Sequence, residues 1–420
     1  MKMQSLGNPR SQISTELGLS PADDIVCFGS GEWFYVPSIP EYTMLEMATK
    51  HRVLYVEPFV SFLTVLQTRL FDKNAAAFRP KVRWGLRQIT PRLTVYTPPP
   101  LALPFQHRFA WILHINMIFL AWLVRRVMRR LGFSTPILWA YLFRLSGMVG
   151  RLSEKAVVYD CIEHDEHFVA SEISKQTIRT LEESLCRKSD VVFVMNPQLH
   201  RLKGQWNPRT VIVPSGAKIA HFSKAADPAT PIAAELMTLP RPIVGYFGQV
   251  DRWKIDFDLL IYLARRHPDW SVVLVGPVAP EVRGDARLAS HRNVYFFGRQ
   301  PYERIPCFLK GFDVCTMPFT PSENIELSSP LKLYEYLATG KPIVSVSFPA
   351  VEDFSEYVSI ARSPEEFAAA VERAYAVDTH ELACRRMREA EVHSWERRVE
   401  RKRVALHEVL MERASREVCA

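Results

Sequence analysis

Near its start the chain reads Asp24-Ile-Val-Cys-Phe-Gly-Ser, and past its middle it reads Pro242-Ile-Val-Gly-Tyr-Phe-Gly-Gln. Both are a short, wholly apolar run delivered to a glycine turn. A run apolar at every position has no solvated face, which is the character of a parallel strand covered on both sides. After the first run, a helical pattern through Leu45 and Ala48 leads to a second strand, Arg52 to Glu57. Strand, glycine turn, helix and strand open a βαβ unit. Its recurrence at 242 predicts an α/β chain built from two doubly wound halves in tandem.

The spacing of the other elements supports this reading. Strands are expected over Ala156 to Asp160, Asp190 to Met195 and Val211 to Pro214 in the first half. In the second half they are expected over Val272 to Gly276, Val294 to Gly298, Val314 to Pro318 and Ile343 to Val346. The 420 residues, 48% of them hydrophobic, suffice for two separate cores. The predicted organisation is a tail over 1–22, a first domain over 23–215 and a linker over 216–241, rich in Gly, Pro and Ala. A second domain follows over 242–390, then a charged C-terminal helix over 391–420. That helix either packs back on the first domain or ends as an exposed amphipathic segment. The tail is expected to be neither a signal peptide nor a membrane span. The seven cysteines contain no CxxC pair, so neither a zinc framework nor a disulfide framework is indicated and a reducing compartment fits.

Charge is unevenly placed. From Lys73 to Ser153 there are thirteen Lys and Arg and no Asp or Glu, against +8 for the whole chain, so the remainder is net acidic. A basic segment of this length calls for an acidic partner surface. Within it, the apolar run Phe109 to Val124 ends against Arg125, Arg126, Arg129 and Arg130. Sixteen residues interrupted by His114 and Asn116 fall short of the ~20 that cross a bilayer. The run reads either as a core helix with a solvated basic end or as a helix lying in lipid headgroups through Trp111, Phe119 and Trp122. Nucleic acid is disfavoured, since no reading motif or stacking sheet accompanies the arginines.

Chemistry concentrates in three places. Ser328-Ser-Pro-Leu-Lys-Leu-Tyr-Glu-Tyr-Leu-Ala-Thr-Gly340 reads as a short helix, with the serines as cap, Pro330 in the first turn and Gly340 as stop. Lys332 in its first turn and Glu335 one turn on suit a phosphate and a sugar hydroxyl, although an ordinary solvated ion pair has the same pattern. Gly248 is followed by Arg252 and Lys254, and Gly298 by Arg299, each just past a strand end. In the first half, Asp160, Glu163 and His164 follow a strand, where open parallel sheets place their ligands. His164, Asp165 and His167 are ligand types without a recognisable metal spacing, so no metal is expected there. The turn Gly29-Ser30-Gly31 lacks the third glycine of a dinucleotide fingerprint and reads as close backbone packing.

These residues resemble GT-B glycosyltransferases of the family 4 and family 1-like type that build bacterial exopolysaccharide and teichuronic-acid chains. The motif Ser329-Pro-x-Lys-Leu-Tyr-Glu-Tyr-Leu-Ala-x-Gly-Lys-Pro carries most of the likeness, with Val158 to Glu163, Gly245 to Gly248 and Phe297 to Pro306 in support. The resemblance implies two Rossmann-like domains facing across a cleft, the first holding the acceptor and the second a nucleotide-sugar. It implies that Arg252, Lys254 and Lys332 meet the diphosphate, with Gly248 and the helix opening at Ser329 in the same donor site, Glu335 the ribose, and Gly298 and Arg299 the base. Asp160 and Glu163 fall on the acceptor side, as candidate bases, and Lys332 supports the leaving group. No cofactor or metal is implied. The expected acceptor is lipid-linked or a glycan, and the expected location is cytoplasmic, peripheral at the inner membrane face. Two departures stand out: Leu327 occupies the place of the family's second glutamate, and Ser215-Gly-Ala-Lys that of its Asn-Gly-x-Asp. The rival readings are a nucleotide-sugar epimerase of the same fold and a catalytically silent membrane-associated binding protein.

Overall fold

The computed structural model describes residues 23–33, 38–71, 84–106, 108–162 and 175–419. The chain divides into two compact units, Met1–Pro214 with Val399–Ala420, and Ser215–Arg398.

The first unit is built on eight strands: β1 (Asp24–Phe28), β2 (Arg52–Val56), β3 (Gly85–Thr90), β4 (Leu93–Thr97), β5 (Ile137–Ala140), β6 (Ala156–Cys161), β7 (Val191–Val194) and β8 (Thr210–Ile212). Their order is β3-β4-β2-β1-β5-β6-β7-β8. All pairs are parallel except β3 with β4. Every residue of β1, β5, β6 and β7 is buried, Asp24 and Asp160 included, as strands covered on both faces require. The second unit holds β9 (Ile243–Phe247), β10 (Ser271–Val275), β11 (Val294–Phe296), β12 (Val314–Met317), β13 (Ile343–Val346) and β14 (Ser359–Ala361). These are all parallel, in the order β11-β10-β9-β12-β13-β14. Each sheet reverses its winding at the strand that opened the sequence argument, β1 or β9. Ligands of such sheets bind at the carboxyl ends of the strands beside that switch point.

Three features differ from expectation, and one open alternative is settled. The stretch 216–241 is packed structure instead of a linker: Phe222, Ala225, Ala233 and Leu236 are buried in the second unit's core. Its alanines and prolines shape short helical turns, Ile219–Phe222, Ser223–Ala226 and Ala234–Leu236. The hairpin β3–β4 and the strands β5 and β14 were not foreseen, because their short runs sit among prolines and arginines that mask the period. The C-terminal helix, Trp395–Cys419, resolves the open alternative, since Val399, Leu406, Val409 and Leu410 are buried in the first unit's core. The apolar run belongs to a 22-residue helix, Ala110–Leu131, long and apolar enough to cross a bilayer by length and composition, with 56% of its most apolar window buried inside the unit. A core helix of a soluble domain meets the same criterion. Asn116, read as an interruption, is buried and clasps Leu103, accepting from its N–H at 2.8 Å and donating to its carbonyl at 3.0 Å.

Candidate active site

In the second unit the strand ends converge on three glycines. Gly248, Gly276 and Gly298 follow β9, β10 and β11, all with positive φ, at 150°, 143° and 61°. They are knitted edge to edge: Gly248 N–H donates to the Val275 carbonyl and Gly276 N–H to that of Gly298, each at 2.8 Å. A Cβ on Gly276 would stand 1.8 Å from the Gly248 oxygen, so only glycine allows this approach. Sequence reading named Gly248 and Gly298 but passed over Gly276, because Gly276-Pro277 after a strand looks like any turn.

The helix carrying the most specific motif runs Leu331–Thr339 and stops at Gly340, which takes the expected left-handed cap at φ 72°. Its start differs from expectation. Pro330 is the N-cap residue, without a side-chain cap, and Ser329 Oγ instead accepts from Ser215 N–H at 3.2 Å. The first-turn N–H groups therefore stay uncapped by any side chain, a setting that favours an anion. Lys332 Nζ lies 3.0 Å from Glu335 Oε2 and 4.2 Å from the centre of the Phe247 ring. Its Cε would be 2.9 Å from a Cβ on Gly248, so the ammonium is delivered to the turn after β9. Tyr336 braces that turn by accepting from Phe247 N–H at 2.9 Å, and burial pushes its phenol well above the usual range.

Gly248, Lys332 and Glu335 are thus brought together, with Ser329 at the helix entrance. Two predicted cations point elsewhere. Arg252 is ion-paired with Asp285, and Lys254 Nζ lies over the Phe319 ring at 5.5 Å. Arg299 is exposed in the turn after β11. Asp251, which sequence reading passed over, is buried, and removal from water raises its carboxyl above the ordinary range.

In the first unit Asp160 ends up in a setting different from the one expected. It is 2% exposed, and its Oδ2 accepts from Lys402 Nζ at 2.5 Å and from Trp139 Nε1 at 3.2 Å. A carboxylate shut away from water and filled by an ammonium and an indole offers an incoming hydroxyl no access, so the geometry makes it an anchor for the C-terminal helix. No local signal could have found Lys402, which lies far along the chain. Glu163, with His164, Asp165 and His167, lies outside the described residues. Among the described residues, no group of three or more His, Cys, Asp or Glu is placed to hold a metal ion.

Comparison with known proteins adds three findings. Residues 241–376 match the family model described as Glycosyl transferases group 1. The chain is 27% identical over 237 residues to a Bacillus subtilis protein named "Putative teichuronic acid biosynthesis glycosyltransferase TuaH", an alignment covering 52% of this chain and 58% of that one. Similar solved structures include sucrose-phosphate synthase from Thermosynechococcus elongatus (TM-score 0.64, 15% identity, 94% of this chain and 99% of that one). Another is HepE from Anabaena in complex with UDP and glucose (0.60, 15%, 94% and 99%). A third is a UDP-forming trehalose-phosphate synthase from Burkholderia xenovorans in complex with glucose-6-phosphate (0.67, 12%, 93% and 100%). At these identities the structural matches speak to the fold alone.

Proposed function

We propose, from a chain that has the GT-B fold and carries a group 1 glycosyl transferase domain at residues 241–376, that this protein is a glycosyltransferase moving a sugar from a nucleotide-sugar to a lipid-linked or glycan acceptor in cell-surface polysaccharide synthesis. One observation carries the reading: the matched domain is the one in which Lys332, Glu335 and the uncapped helix start converge on the glycine turn after β9. The similarity to TuaH supports the polysaccharide role.

In this reading the bond between the sugar's anomeric carbon and the diphosphate oxygen breaks, and the acceptor oxygen takes the phosphate's place. The leaving diphosphate gains charge as the bond lengthens, so fixed donors at its position lower the barrier. The first-turn N–H groups of the 331–339 helix and Lys332 supply them. Glu335 holds Lys332 in place and takes the ribose hydroxyls. Arg252 and Lys254 serve the same diphosphate only if they turn away from Asp285 and Phe319 when donor binds. The acceptor proton is assigned to Glu163, while Asp160 anchors the C-terminal helix through Lys402. In this reading no divalent cation is required, because the Lys332 ammonium and the first-turn backbone N–H groups take its role.

The test is a thermal-shift screen of nucleotide-sugars, followed by transfer to a lipid-linked acceptor with and without excess chelator. Stabilisation by one donor and turnover in chelator are expected. Lys332→Ala should weaken donor binding by roughly ten- to a hundredfold, the worth of one charge-assisted contact. Unchanged donor affinity in Lys332→Ala and Glu335→Ala together would remove the site from this helix.

A further inference from the structure

A cavity of about 660 Å³ opens beside Gly298, at the outer edge of the second unit's sheet. Val278, Val282, Leu288, Val294 and Phe297 give it one apolar wall, and its volume is within the size range of small-molecule sites. Four polar side chains line it: Arg283, Asp285, His291 and Arg292. Two of them are already committed. Each oxygen of Asp285 is filled, Oδ1 by Arg287 N–H and Nε and Oδ2 by Arg252 and Arg287. The ring nitrogens of His291 meet Arg265 Nε at 3.1 Å and the Arg287 carbonyl at 2.7 Å. The guanidiniums of Arg283 and Arg292 have no hydrogen-bond or ion-pair partner among the described residues.

The side-chain polar capacity left in the cavity is therefore donor in character. Arginine has N–H groups and no acceptor, so such a site favours a flat ring bearing a keto oxygen, as uracil and guanine do, over adenine, which has none and presents an amine in its place. The position fits a nucleoside. Gly298 lies two strands from Gly248, about 10 Å at ordinary strand spacing. That is the reach of a nucleoside from a diphosphate seated at Lys332.

We propose that Arg283 and Arg292 are specificity-determining residues that select donors with a keto-bearing base, uracil or guanine, over adenine. The inference rests on the donor reading above and adds the base class to it. Direct binding of UDP, GDP, ADP and inorganic pyrophosphate tests it. The expected result is UDP or GDP bound at least about tenfold more tightly than ADP, the discrimination of one good arginine–base contact. Arg283→Gln and Arg292→Gln should each shrink that ratio toward one while pyrophosphate affinity stays unchanged. Equal affinities for all three nucleotides, ADP binding tightest, or a ratio indifferent to both substitutions overturns the assignment while leaving the diphosphate site intact. If neither pyrophosphate nor any nucleotide binds, the donor reading itself fails, and this inference with it.

Discussion

Gly276 shows how one missing methyl group shapes the site. An alanine there would place Cβ 1.8 Å from a backbone oxygen that cannot swing aside, and it would also carry a strained φ. A Cβ on Gly298, by contrast, would meet nothing within 4 Å, so only its φ of 61° resists substitution. Gly276→Ala should therefore unfold the second unit or abolish donor binding, whereas Gly298→Ala should cost about 1 kcal/mol, the ordinary left-handed penalty. Melting curves of the two variants check this, and equal losses would mean that the close approach is not the constraint. In the first unit His51 is 2% exposed, and burial, reinforced by the nearby Arg403 guanidinium, pushes its imidazole down to about 4. The folded state keeps the ring neutral while the unfolded chain protonates it below about 6.5, so its contribution is complete above that pH and is lost as pH falls toward 4. By pH 5 the loss should be on the order of 2 kcal/mol. Urea unfolding of wild type and His51→Gln at pH 7.5 and 5 reads it, the variant being the less sensitive to pH.

At the scale of elements, the local stretches were legible and the distant partnerships were not. The runs that became β1, β9, β12 and β13 announced themselves by apolar continuity, and Gly340 marked its helix end because only a left-handed residue closes it. The start of that helix slipped by a residue because Ser329 found a better use, holding Ser215 N–H, than capping. The C-terminal helix was the harder case. Its period left two outcomes open, and what settles it is a set of ties to the first unit: Lys402 to Asp160, Arg403 to the Glu46 carbonyl, Lys50 to Glu400 and Arg413 to Asp190. Of these the Lys402–Asp160 pair is the buried one, with both side chains under 5% exposed. Removing one partner strands a charge out of water, at roughly 3–5 kcal/mol, whereas replacing both is often nearly neutral. Lys402→Met should thus destabilise the first unit strongly, and adding Asp160→Asn should restore much of the loss. If the restored double variant also turns over substrate, Asp160 is an anchor. A stable but inactive double variant would return it to the chemistry.

At the scale of the whole molecule, charge and apolar surface coincide in the first unit, and together they predict a membrane partner. The outer face of the 110–131 helix presents Trp111, Ile115, Ile118 and Trp122, spaced by three or four residues on one side, and all exposed. Beyond them come exposed Arg125, Arg126, Arg129 and Arg130. The Asn116 clasp holds Leu101, Leu103 and Phe105 beside this helix, and the bridge between Ser61 and Leu101 brings Phe62, Leu63 and Leu66 alongside. An apolar patch assembled from three segments and bordered by arginines, in a segment without a single acid from Lys73 to Ser153, is the pattern of a surface that sits in anionic headgroups. The helix's other face is occupied by the core, through Leu113, Met117, Leu120, Val124 and Met128, so the whole helix cannot leave the unit to span a bilayer without emptying it. We therefore propose peripheral docking at the cytoplasmic face of the membrane, where a lipid-linked acceptor is presented. The purified protein should co-sediment with anionic vesicles and come off at high salt, since surface attraction decays within ~10 Å at 0.1 M. Changing the four arginines to Gln should weaken binding by about 1 kcal/mol each without altering donor affinity. Trp111→Ala with Trp122→Ala should weaken it at every salt concentration, because the apolar contribution is unscreened. Equal partition onto neutral and anionic vesicles would mean that the arginines serve something other than lipid headgroups, and none onto either that the patch meets something other than a membrane.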